Sequence, residues 1–156
     1  MLGCGRLRSG TLFALTGCRI GGTRNGRRDL CIDTHYLRSR LEGRQGRGLL
    51  SEGCGTARGS TGVALQGRSM DRGMPSRASG AARANAATVT IEFRRRGGTR
   101  PERVRAAVVH LPAHLLRRLG RKGAFSYWVA EVPLSAEVTA LKARDRDGRL
   151  IASNQP

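Results

Sequence analysis

A chain of 156 residues has room for one domain, and 29 Lys plus Arg against 11 Asp plus Glu give it a formal net charge of +18. No stretch approaches the ~20 apolar residues of a transmembrane helix, which excludes a helical membrane span. The charge draws polyanions by steering and counterion release, but it does not by itself establish a nucleic-acid role. Only Lys122 and Lys142 are lysines, and scarce Lys beside abundant Arg, Gly and Ala is what a GC-rich coding sequence yields.

The two halves differ in what they could bury. Residues 1–86 hold 17 of the 22 glycines, all four cysteines and two aromatics, Phe13 and Tyr36, whereas residues 87–156 hold Phe93, Phe125, Tyr127 and Trp128. From Met1 to Ala86 the apolar residues fall singly between Gly, Arg and Ser, as in "GGTRNGRRD" and "EGRQGRG". Such a segment buries too little to offset about 1–2 kcal/mol of backbone entropy per ordered residue. Residues 1–86 are therefore expected to be a long disordered N-terminal half, or a spurious extension of a protein whose translation starts at Met70 or Met74. One short helix is expected near "THYLRSRLEG", where Tyr36, Leu37 and Leu41 could share a face.

Cys4, Cys18, Cys31 and Cys54 contain no C-x-x-C pair, so no single tight turn offers two sulfurs to zinc, and unpaired thiols are expected, with two disulfides in an exported protein as the alternative. Leu15-Thr16-Gly17-Cys18, behind Arg6 and Arg8, resembles a bacterial lipobox, in which the cysteine is lipidated. Its apolar core, Leu12 to Leu15, is shorter than the roughly 7–15 residues of a signal segment. A cytoplasmic location is expected, with lipid anchoring through Cys18 as the alternative.

In the second half "ATVTIEF" puts Val89, Ile91 and Phe93 on one face and Thr88, Thr90 and Glu92 on the other, the period of a half-buried strand. Gly97-Gly98 signals a turn, after which "RVRAAVVHL" can pair back as a strand; a helix starting at Pro101 competes, because Val104, Ala107, Val108 and Leu111 also fit a helical stripe. "LPAHLLRRLG" then reads as one short helix, from Pro112 to a stop at Gly120, with Leu115, Leu116 and Leu119 on its apolar face. "AFSYWVAEV" is apolar on both faces, the composition of a strand covered on two sides or of a central strand under a helix. In "KARDRDGRLIA" the spacing of Asp145 and Asp147 evokes a calcium loop. Two carboxylates among Arg144, Arg146 and Arg149 fall far short of about six to eight oxygen ligands, so a hairpin turn with Gly148 at positive φ is expected.

The run "FSYWVAEVPLSAEVTALKARDRDGRLIA" is similar to the end of β-rich C-terminal domains in actinobacterial proteins of unknown function. There an aromatic strand ending in Pro precedes "V-T-x-L-x-A-x-D-x-D-G-R". The resemblance covers residues 125–152 and implies a β fold; it carries no catalytic residue across.

Candidate chemistry is sparse. His110 and His114 are four apart but separated by Pro112, and no Glu stands where a zinc protease keeps its base. Glu131 lies in an apolar run, where burial would raise its pKa, with a salt bridge to an arginine as the plainer expectation. Ser126 and Ser135 have no local base. No catalytic residue, metal ligand, cofactor or small-molecule substrate is assigned, and the protein is expected not to be an enzyme.

The expected fold class is mainly β, a small antiparallel sheet or sandwich of about five strands with one short helix in residues 87–156, after the disordered residues 1–86. A core this small is marginal alone. The expected function is a protein-interaction or docking module with an unknown partner, contacting it through Phe125, Tyr127 and Trp128, with Trp128 as anchor. The alternative is sequence-nonspecific nucleic-acid binding through Arg94, Arg95, Arg96, Arg100, Arg103 and Arg105, which would crowd one end of the sheet, with Arg121-Lys122 adding to them.

Overall fold

The computed structural model describes residues 1–20, 29–37, 50–56, 62–69, 76–133 and 135–156. Its strands are β1 (Gly3–Arg6), β2 (Leu12–Ile20), β3 (Asp29–Leu37), β4 (Leu50–Thr56), β5 (Val63–Ser69), β6 (Arg77–Ala82), β7 (Thr88–Arg95), β8 (Glu102–Arg105), β9 (Ala107–Leu111), β10 (Phe125–Glu131), β11 (Ala136–Arg144) and β12 (Leu150–Asn154), with one short helix, α1 (Ala113–Arg118). They form three four-stranded sheets: sheet A in the order β1-β2-β3-β4, sheet B β5-β6-β10-β9, and sheet C β12-β11-β7-β8. Every pairing is antiparallel. The protein is mainly β, as its sequence pattern leads one to expect.

Sheet B is the middle layer, and β10 shows why. Trp128, Ala130 and Val132 enter one core with Val89, Ile91 and Phe93 of sheet C. Phe125, Tyr127 and Val129 enter a second core with Phe13, Leu15, Leu30, Ile32 and Tyr36 of sheet A. Side chains alternate across a strand, so a segment apolar at both parities must be covered on both faces. At about 1.5–3 kcal/mol per large side chain buried, this strand contributes to two cores at once.

The middle layer also draws in a segment from before residue 87. β6, with the sequence "RASGAA", is buried at every position and lies between β5 and β10. Apart from Arg77, which is buried with its guanidinium 3.7 Å from the Tyr36 ring centroid, its side chains are too small to show an amphipathic pattern, yet small side chains let both neighbouring sheets approach. Gly80 lies opposite Trp128, where even a Cβ would collide. The other described residues ahead of 87 supply β1 to β5, with alternate residues Leu30, Ile32, Thr34 and Tyr36 of β3 buried. Six of the described strands, β1 to β6, therefore lie upstream of residue 87. The helix expected at "THYLRSRLEG" is not found at Thr34–Leu37, which extend β3. Residues 38–43, like Met70 and Met74, lie outside the described residues.

The segment "RVRAAVVHL" is extended rather than helical, but it serves two sheets. Glu102–Arg105 pairs with β7, Ala106 donates its N–H to the Val89 carbonyl at 2.9 Å, and from Ala107 the chain pairs with β10. The change of sheet at Ala106 is how sheets B and C share one core. α1 starts after Pro112 and buries Leu116 against the sheet A side of sheet B. Gly120, at φ 77°, follows the helix in the left-handed region that glycine favours.

Candidate nucleic-acid interface

The outward face of sheet C is set by the same alternation that buries Val89, Ile91 and Phe93. Along β7 the outward residues are Thr88, Thr90, Glu92 and Arg94. Cross-strand register places Arg105 beside Thr90 and Arg103 beside Glu92 on β8, and Arg144, Lys142 and Glu137 beside Thr88, Thr90 and Arg94 on β11. Five cations therefore stand against two carboxylates on one face, which is net basic. All six arginines expected from the sequence are exposed. They form a strip rather than a knot: Arg94, Arg95, Arg96 and Arg100 gather at the β7–β8 turn, while Arg103 and Arg105 run back along the edge strand.

Glu92 organises the strip. One carboxylate oxygen, Oε1, accepts from Lys142 Nζ at 2.9 Å and from Arg103 Nε at 2.9 Å. The Lys142 hydrogen bond holds the carboxyl below its ordinary value against the opposing effect of burial, and the charges of Lys142 and Arg103 lower it further. Glu102 accepts both Arg95 Nε at 2.7 Å and Arg95 Nη2 at 3.2 Å, a bidentate pair at the turn that raises the Arg95 pKa. Among the described residues no ion pair holds Arg94, Arg96, Arg100 or Arg105. Arg121 and Lys122 follow α1, whose Leu116 is in the core on the far side of sheet B, so they do not extend this strip.

The residues expected to meet a protein partner are elsewhere. Phe125, Tyr127 and Trp128 are 3%, 2% and 0% exposed, because each face of β10 is covered by a neighbouring sheet. They hold the layers together and offer no docking surface. Glu131 is not bridged to an arginine among the described residues; it accepts from Ser9 Oγ at 2.5 Å and from the Ser9 N–H at 3.3 Å, so the β1–β2 turn caps it. Ser126 is fully buried and donates to the Ala84 and Ala86 carbonyls.

His110 on β9 and His114 on α1 are both exposed and lie on different elements. His110 lines a cavity of about 560 Å³ with Asn85, Asp145, Arg146 and Asp147. Among the described residues no three His, Cys, Asp or Glu converge as metal ligands. Asp145 is used by its own turn: Oδ1 accepts the N–H groups of Asp147 at 3.0 Å and Arg149 at 2.9 Å, and Gly148 has φ 79°.

Sheet A carries polar groups that sequence reasoning passed over. On its outward face His35 Nε2 lies 2.7 Å from Thr16 Oγ1 and 3.6 Å from Asp33 Oδ2. A catalytic relay needs the carboxylate on one ring nitrogen and the nucleophile on the other; here both meet Nε2, so the arrangement is no relay. The signal was the D-x-H spacing, which puts both side chains on one strand face. Cys4 and Cys18 are free and exposed, while Cys31 is disulfide-bonded, a departure from the expected set of unpaired thiols. The lipobox-like run is strand β2 with Phe13 and Leu15 in the core, so processing at Cys18 would remove β1 and most of β2.

Among the described residues no helix is long and apolar enough to cross a membrane. No protein family, curated protein or solved structure matches the chain.

Proposed function

We propose that the protein is a non-enzymatic β-sheet module that binds nucleic acid without sequence preference through the sheet C strip. One observation carries this reading: Arg94, Arg96, Arg100 and Arg105 are exposed along one hairpin, with no ion pair holding them among the described residues. Guanidinium groups in such a row meet phosphate oxygens bidentately without reading bases. The large aromatics of residues 87–156 are inside, so the face has no described platform for base stacking, and contact with the phosphate backbone is what remains. The likeness of residues 125–152 to actinobacterial β-rich domains belongs to the same reading, as a likeness of scaffold.

The test is a filter-binding titration of the full chain against duplex DNA over a salt series. Each phosphate contact contributes a slope of about −0.9 in log K against log salt, so replacing the four arginines by serine should flatten the slope by about 3 to 4. Binding that is absent, or indifferent to salt, would return attention to protein docking through a surface other than Phe125, Tyr127 and Trp128.

A further inference from the structure

Cys18 on β2 and Cys31 on β3 are directly opposite each other in the antiparallel ladder of sheet A. Directly opposite residues project from the same face, with Cα atoms about 4.5–5.5 Å apart. That separation falls within the ~4.4–6.8 Å a disulfide spans. Cys18 is a free, exposed thiol, and Cys31 is 2% exposed and already disulfide-bonded. A free thiol thus stands one strand away from an existing disulfide. The other free thiol among the described residues, Cys4, is in register with Ala14, four residues before Cys18 on β2 and so displaced by roughly 13 Å along the strand.

We propose that Cys18 is the incoming thiol of an internal thiol–disulfide exchange centred on Cys31. The Cys18 thiolate attacks Sγ of Cys31; the Cys18–Cys31 bond forms as the bond from Cys31 to its present partner breaks. The electron pair leaves on that partner sulfur, which takes up the proton given up by Cys18. One disulfide and one thiol stand on each side of the step, so no external oxidant or reductant is consumed. The product ties β2 to β3 covalently and leaves the former partner sulfur as a thiol.

Full-length protein equilibrated natively at pH 8 in a glutathione redox buffer, quenched with acid, alkylated and digested with trypsin reports the linkages directly. Cys4, Cys18 and Cys31 fall in separate tryptic peptides, residues 1–6, 9–19 and 29–38. The expected result is a 9–19/29–38 cross-link exceeding any 1–6/29–38 cross-link on the order of tenfold, because Cys18, unlike Cys4, is held directly opposite Cys31. Cys4→Ser should keep the 9–19/29–38 product, and Cys18→Ser, with an unchanged far-UV spectrum, should leave Cys31 locked in its resident bond. Equal yields of the two cross-links would mean unguided scrambling and overturn the proposal. So would glutathione on Cys18 with no 9–19/29–38 product at any buffer ratio.

Discussion

Trp128 on β10 lies directly opposite Gly80 on β6, and a Cβ placed on Gly80 would stand 2.9 Å from the indole Cζ2 while overlapping the Ala64 carbonyl oxygen. The indole and the missing side chain are one packing decision, since the middle sheet can take its largest residue only where its neighbour has none. Gly80→Ala forces backbone as well as ring to shift. A loss of about 1–3 kcal/mol is expected in urea unfolding, at the level of overpacked cores.

Trp128 is the only tryptophan and is fully buried, so its fluorescence reports the central layer without interference. Emission from the native protein should be blue-shifted and protected from iodide, and urea should abolish both properties together. Ready quenching under native conditions would contradict the covering of β10 by two sheets. Trp128→Ala is expected to cost about 3–5 kcal/mol, the range for deleting a large core side chain.

Glu92 makes acid stability a test of the sheet C strip. Its folded pKa lies below its ordinary value of 4.5, chiefly through the Lys142 hydrogen bond. A group depressed on folding contributes stability that is fully present above the unfolded value and is lost as pH falls through the folded one. Wild type should therefore exceed Glu92→Gln in unfolding free energy at pH 7, and the gap should close as pH falls below about 4.5. A gap that stays constant from pH 7 to pH 3 would show that the Lys142 and Arg103 contacts do not depend on the carboxylate charge.

Asp145 should act on the chain and not on a metal. Removing it in Asp145→Ala takes two N–H groups' acceptor from the β11–β12 turn, and a loss of about 1 kcal/mol is expected, by analogy with a lost capping side chain. Thermal unfolding should show the same deficit in calcium and in chelator. A calcium-dependent rise in the wild-type midpoint alone would restore the metal reading.

Some features were legible because their cause is local. β7 announced itself through Val89, Ile91 and Phe93 at period two, and Asp145 to Gly148 carried the chemistry of a tight turn. The arginine strip was legible as composition, but its shape depended on register: only pairing with β7 puts Arg103 beside Glu92 and spreads the cluster along an edge. β6 was illegible because "RASGAA" owes its burial to the sheets on either side, and no periodicity records that.

By itself the sequence determined that β10 needs cover on both faces, that the 145–148 segment reverses the chain, and that basic residues gather on one hairpin. These follow from side-chain alternation and backbone preference, which act over a few residues. Only the tertiary structure decided what does the covering, turning Phe125, Tyr127 and Trp128 from a docking surface into the join between layers and placing Cys18 across from Cys31. Those outcomes depend on segments tens of residues apart meeting in register, and the free energy of that meeting comes from the completed layers, not from any stretch of chain alone.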